Sequence, residues 1–219
     1  MFYSQLALPL LSSQFLPYKS KNQLIEKFES IINQLMMEKV GVINDFLNPI
    51  LCNELIQNIH LLNNASLLNN ANIGSGENTQ NNILVRKNSI AWLDEKHEIA
   101  SENEFLNLIT DFIKYLNMTC YTGIVSSEFH YSMYEPGDFY AKHYDQFKNN
   151  NQRKYTFISY LNEAWEEKDG GELLIHHAHL QQNISPEIGK TVVFESEGLL
   201  HEVLATNKLR LSVTGWLKV

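Results

Sequence analysis

The second half of the chain constrains the fold most, because from Gly123 to the C terminus it is a succession of short apolar segments of strand length. These segments cover residues 124–134, 154–162, 171–177, 190–196 and 209–219. Turn signals separate them at Pro136-Gly137, 149–151, Gly170-Gly171 and Ile188-Gly189. The first half instead shows apolar residues at helical spacing over 22–37, from residue 49 onwards and over 102–117. Helices followed by strands predict an α+β fold, with helices on one face of an antiparallel sandwich or barrel.

The chain has the size and composition of a single globular domain, with 219 residues, 44% of them hydrophobic and 19% charged. Within residues 1–219 we expect an N-terminal helical region over 1–38. Helices and strands that support the barrel follow over 39–122, and the barrel itself over 123–219. Residues 63–82 are rich in Asn, Ser and Gly and predict a flexible loop. A binding loop and an idle linker both remain open for this segment.

Charge and cysteine content narrow the partners and the compartment. The net charge is −8 and no long basic run is present, so we expect no binding of nucleic acid. Cys52 and Cys120 lack metal-ligand spacing, and two such cysteines favour a reducing compartment over a disulfide framework. The apolar start lacks a basic region and is interrupted by Pro9 and Pro17, unlike a signal peptide. No apolar run is long enough for a membrane span. We therefore expect a cytoplasmic monomer.

A candidate metal site begins with His143 and Asp145. On a strand, residues two apart face the same side, so both side chains can point into one cavity. A third ligand, His201, stands at the start of the penultimate apolar segment. Two histidines and one carboxylate form the facial triad of non-haem iron(II). The motif alone is weak in a chain with eight histidines, and an ordinary half-buried histidine is the alternative for His143.

Arg210 is the second candidate, within the segment LRLSVTGW. If this segment is a strand, Arg210, Ser212, Thr214 and Trp216 share one face, and apolar residues occupy the other. The apolar face belongs against the helices, which turns Arg210 towards the barrel interior. A buried guanidinium needs an anion, and arginine suits the two-oxygen grip on a carboxylate. A bound dicarboxylate would supply that anion, and a structural salt bridge is the alternative.

Together these residues resemble the 2-oxoglutarate oxygenases, and within them the prolyl hydroxylases typified by the hypoxia-inducible-factor enzymes and their bacterial relatives. The same resemblance is carried, from about residue 40 onwards, by VGVINDFLNP, VRKNSIAWL, YEPGDFYAKHYD, TFISYLNEAW, GGELLI, HEVLA and RLSVTGW. It implies a double-stranded β-helix, which is a jelly-roll or cupin-like barrel, with the N-terminal helices packed on one face.

The resemblance also implies cofactors and the residues that hold them. Iron(II) would be bound by His143, Asp145 and His201, and 2-oxoglutarate would be the co-substrate, with ascorbate as a supporting reductant. The distal carboxylate of 2-oxoglutarate would pair with Arg210. The residues implied around that co-substrate are Tyr160 and Thr214, which would help Arg210, and Tyr134, which would line the pocket near the metal.

For the substrate, the resemblance implies a prolyl residue in a protein, with elongation factor Tu as the candidate for bacterial relatives. Arg153 matches an arginine at the substrate edge of the site, and Trp216 is either a substrate contact or a packing residue. Asn88 departs from the family, which has an aspartate there. Hydroxylation of a small molecule such as a free amino acid is one alternative. A non-enzymatic metal-binding or interaction domain is another.

A second group of histidines, His176, His177 and His179, is not expected to bind a metal. Neighbouring residues on a strand point to opposite faces, and the nearby sequence offers no carboxylate at a suitable spacing. We interpret these residues as surface or strand-end histidines.

Overall fold

The computed structural model describes residues 18–71, 84–146, 151–177 and 181–219. Its α-helices within these ranges are α1 (Tyr18–Glu38), α2 (Pro49–Asn64) and α3 (Ala100–Cys120). The start of α2 follows from the local sequence. The side chain of Asn48 accepts a hydrogen bond from the Leu51 amide at 2.8 Å, and Pro49 occupies a first-turn position where no amide donor is needed.

The strands are β1 (Val40–Ile43), β2 (Asn69–Asn70), β3 (Ser89–Trp92), β4 (Ser126–Tyr134), β5 (Tyr140–His143), β6 (Arg153–Tyr160), β7 (Leu173–His176), β8 (Gln181–Ile184), β9 (Thr191–Glu195), β10 (Leu200–Val203) and β11 (Arg210–Lys218). They form two antiparallel sheets. The larger sheet has the order β1-β9-β6-β11-β4-β3-β2, and the smaller one has the order β5-β10-β7-β8. Strands β9, β6, β11 and β4 lie side by side although they are distant in sequence, as in a jelly roll, whereas β2, β3 and β4, and likewise β7 and β8, pair as sequence neighbours.

Two apolar cores lie on opposite faces of the larger sheet. One contains side chains of all three helices packed on β4, β6, β9 and β11, with Phe28, Phe112 and Phe157 among its fully buried rings. The other fills the space between the two sheets, where Tyr160 and Phe194 meet Leu173 and Ile175. The predicted α+β class with N-terminal helices on one face is confirmed. The sheets are not closed into a continuous barrel within the described residues.

Strand β11 is central to the larger sheet and pairs along most of its length with β4 and β6. Its alternation is as predicted, because Leu211, Val213 and Leu217 belong to the helix-side core. Arg210 and Trp216 face the other way and line a cavity between the sheets. The strand pattern of this segment therefore decides which side chains reach the cavity.

Several local predictions needed correction. The segment ILVRKNSIAWL has a strand–turn–strand pattern in the sequence, but among its described residues only β3 is a strand, and Arg86 makes an isolated bridge with Tyr140. Asp145 was expected on the strand of His143, yet β5 ends at His143. The predicted loop 63–82 begins within α2, and Asn69–Asn70 pairs with β3. The rest of that loop from residue 72, His179 and residues 1–17 lie outside the described residues.

Within the described part of the chain, no helix combines the length and the apolar character needed to cross a membrane.

Candidate metal and co-substrate site

The three predicted metal ligands lie together. His143 at the end of β5 is the cross-strand partner of His201 on β10. Asp145 follows β5, and its two carboxylate oxygens each lie 3.5 Å from the Nε2 atom of one histidine. One ligand atom from each residue falls within 4.8 Å of the others, so the three can hold a metal ion. Among the described residues, no other group of three or more histidine, cysteine or acidic side chains is close enough to hold a metal ion.

Backbone carbonyls fix the orientation of both imidazoles. His143 Nδ1 lies 2.8 Å from the carbonyl oxygen of Ala141, and His201 Nδ1 lies 3.0 Å from that of Leu199. Each Nδ1 therefore carries the proton and donates a hydrogen bond, which leaves the lone pair of each Nε2, 3.5 Å from Asp145, able to bind a metal. This arrangement of an outer hydrogen bond on a ligating histidine is typical of metal sites.

Asp145 is held and kept charged by its neighbours. The Thr156 hydroxyl donates to Asp145 Oδ2 at 2.6 Å and also lies 2.9 Å from the Ser196 hydroxyl. Burial alone would raise the pKa of Asp145, but the charges and hydrogen bonds of His201 and His143 hold that pKa well below its usual range. Burial lowers the pKa of His143, whereas that of His201 is raised against the effect of burial by the charge of Asp145.

Arg210 is the deepest charge of the cavity, with 1% of its surface exposed. Its Nε atom donates to the carbonyl oxygen of Gly171 at 2.7 Å. The guanidinium carbon lies 5.0 Å from the ring centre of Tyr134 and 5.1 Å from that of Tyr160. No carboxylate of the described residues forms an ion pair with it within 4.0 Å. The predicted alternative, a structural salt bridge, is therefore not what the described residues form.

The residues expected around the co-substrate gather at Arg210. The Tyr160 hydroxyl is fully buried and makes no well-formed hydrogen bond within the described residues. Burial raises the pKa of Tyr160 to about 12, so its phenol stays protonated and can donate. Tyr134 and Thr214 line the cavity, and the Thr214 hydroxyl lies 3.1 Å from that of Ser212. Among the described residues, the buried Arg210 has no ion-pair partner and the buried Tyr160 hydroxyl has no hydrogen-bond acceptor, and an anionic ligand would satisfy both.

The cavity joins the metal ligands to Arg210 and has a volume of about 430 Å³ including its mouth. Seven of the residues predicted for the site line it: His143, Asp145, His201, Arg210, Tyr134, Thr214 and Trp216. Sequence reasoning missed other lining residues, among them Arg86, His130 and Tyr140. The guanidinium of Arg86 lies over the ring of Tyr140, which in turn stacks on His143 at 3.5 Å between ring centres.

His130 shows why those residues were missed. It shares a face of β4 with Tyr134, and the pairing of β4 with β11 places that face beside Arg210 in the cavity wall. Burial, assisted by the charge of Arg86, lowers the pKa of His130 to about 3, so it remains neutral. The sequence also did not predict that Thr156 donates a hydrogen bond to Asp145, or that Ser196 lies beside Thr156. The alternation of Thr156, Ile158 and Tyr160 along β6 was the one signal that pointed to Thr156.

Arg153 and Trp216, the predicted substrate residues, are in contact beside the cavity. The guanidinium carbon of Arg153 lies 3.4 Å from the Trp216 ring centre. Arg153 also pairs with Glu128 at 3.0 Å. Asn88 accepts a hydrogen bond from Arg86 Nε at 2.7 Å. The carboxylate partner of Arg153 is thus Glu128.

The second group of histidines is part of a different network. His176 Nε2 lies 2.9 Å from Glu202 Oε1, and His177 Nε2 lies 3.3 Å from Gln182 Oε1. The carboxylate beside His176 comes from the neighbouring strand β10, which local spacing did not reveal. Neither His176 nor His177 belongs to a group able to hold a metal among the described residues.

Comparison with known proteins finds relatives of this chain in sequence and in fold. Residues 129–218 match the family model of the 2OG-Fe(II) oxygenase superfamily. A PKHD-type hydroxylase of Picosynechococcus sp. is 32% identical over 89 residues, which cover 40% of this chain and 40% of that protein. The match therefore spans less than half the length of this curated relative.

Solved structures extend the likeness over most of the chain. A prolyl-4-hydroxylase of Pseudomonas putida superimposes with a TM-score of 0.79 and 28% identity, over 87% of this chain and 98% of that one. A prolyl hydroxylase of Trichoplax adhaerens, solved with a hypoxia-inducible-factor peptide, has a TM-score of 0.83 over 93% of this chain and 94% of that one. At 22% identity, the second likeness concerns the fold alone.

Residues 129–218 thus match the 2OG-Fe(II) oxygenase superfamily, and the predicted resemblance to prolyl hydroxylases is confirmed. Oxygenases of this superfamily use iron(II) and 2-oxoglutarate, as the sequence predicted.

Proposed function

We propose that this chain, which carries a 2OG-Fe(II) oxygenase domain, hydroxylates a prolyl residue of a protein. One observation supports the site assignment most. The buried Arg210 has no ion-pair partner among the described residues, and it lines the same cavity as His143, Asp145 and His201. A buried cation without a partner is costly, so a bound anion would stabilise Arg210. The three metal ligands would bind a metal ion beside that anion.

The residues fit both groups by their chemistry. Two imidazole nitrogens and one carboxylate oxygen form the donor set preferred by non-haem iron(II), and they leave the remaining positions open. At the other end of the cavity, the planar guanidinium of Arg210 can grip a carboxylate, and the Tyr160 hydroxyl can donate to it. In this proposal, His143, Asp145 and His201 hold the iron, and Arg210, Tyr160 and Thr214 hold the distal carboxylate of 2-oxoglutarate, with Tyr134 beside them.

When bound, iron(II) and 2-oxoglutarate supply the oxidation, in which dioxygen gives one oxygen atom to succinate and one to a C–H bond of the substrate while carbon dioxide leaves. The chain's own residues contribute position and charge. The carbonyls of Ala141 and Leu199 hold the two imidazoles in the tautomer that binds metal. Thr156 keeps Asp145 oriented, and no residue is required as a proton donor or acceptor.

A protein substrate is favoured by the wall beside the cavity. The guanidinium of Arg153 lies on the ring of Trp216 there, and Trp216 lines the cavity, where an extended chain with carbonyl groups would lie. The solved relative from Trichoplax adhaerens is a complex with a peptide, and the relative from Pseudomonas putida is a prolyl-4-hydroxylase. We extend the proposal to elongation factor Tu as the substrate of a cytoplasmic, monomeric enzyme.

The test is to incubate purified elongation factor Tu with the protein, iron(II), 2-oxoglutarate and ascorbate. Intact-mass analysis is expected to show the gain of one oxygen atom, and fragmentation to place it on a proline. The same reaction with Asp145→Ala is the matched control and is expected to leave the mass unchanged. If only free proline gains oxygen, the small-molecule alternative replaces this proposal.

A further inference from the structure

Three strands bring a row of charged and aromatic side chains to the wall beside the cavity. Trp216 on β11 stands opposite Glu128 on β4, and Lys218 on β11 stands opposite Arg153 on β6. Glu128 lies between two cations, since its Oε1 accepts from Arg153 at 3.0 and 3.2 Å, and its Oε2 accepts from Lys218 at 2.9 Å. Partial burial would raise the pKa of Glu128, but the Lys218 hydrogen bond and the Arg153 charge lower it, so the carboxylate stays ionised.

These contacts fix the guanidinium of Arg153 on three sides. Glu128 holds its Nε and one terminal nitrogen, and the other terminal nitrogen donates to the backbone carbonyl of Asp145 at 3.4 Å. Its face then lies on Trp216, with 3.4 Å between the guanidinium carbon and the ring centre. The side chain of Arg153 is 19% exposed. A side chain held in this way also limits the tilt of the ring beneath it.

The Trp216 ring carries a donor without an acceptor. Its Nε1–H is buried and makes no hydrogen bond within the described residues, although the residue is only 6% exposed. An indole N–H in such a place normally finds a partner. Because Trp216 lines the same cavity as the metal ligands, a molecule bound there can provide the acceptor. The backbone carbonyl of a prolyl segment has the required chemistry.

We propose that Trp216 Nε1–H donates to a carbonyl oxygen of the substrate, and that Glu128 is the positioning residue that holds Arg153 on the ring so that this donor keeps its orientation. The inference rests on the proposed function in taking a prolyl carbonyl as the ligand. Glu128 itself touches neither the substrate nor the metal.

The experiment uses the full chain loaded with 2-oxoglutarate and Zn(II), which has no redox chemistry and so permits binding without turnover. The probe is N-acetyl-L-prolinamide, titrated while the ¹⁵N–¹H signals of the indoles and arginines are followed by NMR, with Trp216→Phe for assignment. In the wild type we expect the Trp216 indole signal to move on titration, and the Arg153 Nε–H signal to be displaced by the ring current of Trp216.

In Glu128→Gln the ring-current displacement is expected to vanish, and the affinity for the probe to fall about fivefold, as suits a partly exposed ion pair. Glu195→Gln is the matched control, because it removes the exposed Lys39–Glu195 pair of the same sheet. It is expected to change neither signal. An unchanged Arg153 signal or probe affinity in Glu128→Gln would overturn the positioning role. A Trp216 indole signal that ignores the probe in the wild type would overturn the donor assignment.

A charge swap separates positioning from simple stabilisation. Glu128→Gln is expected to lower the Tm, because it removes the ion pair with Arg153. The double variant Glu128→Arg with Arg153→Glu restores opposite charges and should recover that Tm. It places a carboxylate on the ring face, so probe affinity is expected to stay low, and recovered affinity would show that the pair is only structural. The proposed function fails by a different result, the absence of succinate formation by the iron-loaded wild type, on which the ring-current signal does not depend.

Discussion

At the scale of single residues, the identity of each predicted ligand could be proposed from the sequence, but its supporting contacts could not. His143 and Asp145 are close in the chain, and Arg210 is a charge on a strand face that must point inwards. Thr156, Ser196 and Gly171 reach the site from separate segments. Apart from the alternation that places Thr156 on the face of Tyr160, these residues carry no signal of function until the strand register is known. The roles of these residues remain predictions, and two substitutions test them.

Arg210→Lys is expected to raise the concentration of 2-oxoglutarate needed for half-maximal turnover by about tenfold or more, because lysine keeps the charge but loses the planar two-point grip. Iron binding is expected to change little, since Arg210 is not among the metal ligands. Steady-state turnover of 2-oxoglutarate and a separate iron titration measure the two effects. An unchanged requirement for 2-oxoglutarate would assign Arg210 a structural role.

Gly171→Ala tests the same end of the cavity through the backbone. Gly171 has a φ of +70°, and an added Cβ would lie 3.0 Å from Arg210 Cδ and from Thr206 Cβ. We expect a several-fold higher KM for 2-oxoglutarate, because Arg210 must move, together with a loss of stability of about 1 kcal/mol. Gly123→Ala is the control. Its φ is also +70°, but its Cβ would meet nothing within 4 Å. Equal KM values in the two variants would argue against this role of Gly171.

At the scale of elements, helices and strands were easier to predict than their pairing. The periodicity of α1, α3 and β11 is plain in the sequence, whereas the end of β5 before Asp145 is not. Asp145 still reaches both histidines because β5 and β10 pair at His143 and His201. Strand pairing between distant segments depends on packing and register, and one sequence does not contain that information in local form.

Gly215→Ala tests the close packing of β11 on β4. A Cβ at Gly215 would overlap the carbonyl oxygen of Glu128 and the ring of Phe129. The two strands must separate, and we expect a loss of roughly 3 kcal/mol of unfolding free energy, the upper end of typical overpacking costs. Urea denaturation measures it. Gly137→Ala, where a Cβ would meet nothing within 4 Å at a φ of +89°, should cost clearly less, and equal losses would contradict the account.

Helix α3 carries a buried acid, Glu102, which is 1% exposed. Burial raises its pKa, against the lowering effect of hydrogen bonds from Tyr131 and His97. Above the ordinary glutamate pKa, the unfolded chain has released this proton, whereas the folded protein still holds it. The contribution of Glu102 to the free energy of unfolding therefore decreases as pH rises above that pKa.

Glu102→Gln removes that titration while keeping an acceptor for Tyr131. Its Tm relative to the wild type is expected to increase as pH rises above the ordinary glutamate pKa and then to level off once the buried acid of the wild type has lost its proton. Glu104→Gln, an exposed position on the same helix, is the control and should show no such trend. A Tm difference for Glu102→Gln that is constant with pH would refute this interpretation of the buried acid.

At the scale of the whole molecule, the order of elements predicted the α+β class, and the two sheets confirm it. What the sequence could not give was the cavity between the sheets, since its walls come from β4, β5, β6, β7, β10 and β11 at once. The cavity places a metal-binding end and an anion-binding end in one space. The central claim is that both ends are filled together, by iron(II) and by 2-oxoglutarate.

The most direct test is anaerobic addition of iron(II) and then 2-oxoglutarate to the protein, followed by visible absorption. We expect a weak charge-transfer band that appears only when both are present. It should be absent in Asp145→Ala at any concentration, and in Arg210→Lys it should require more 2-oxoglutarate. No band in the wild type, or a full band in Asp145→Ala, would contradict the claim that His143, Asp145 and His201 bind the iron that 2-oxoglutarate joins.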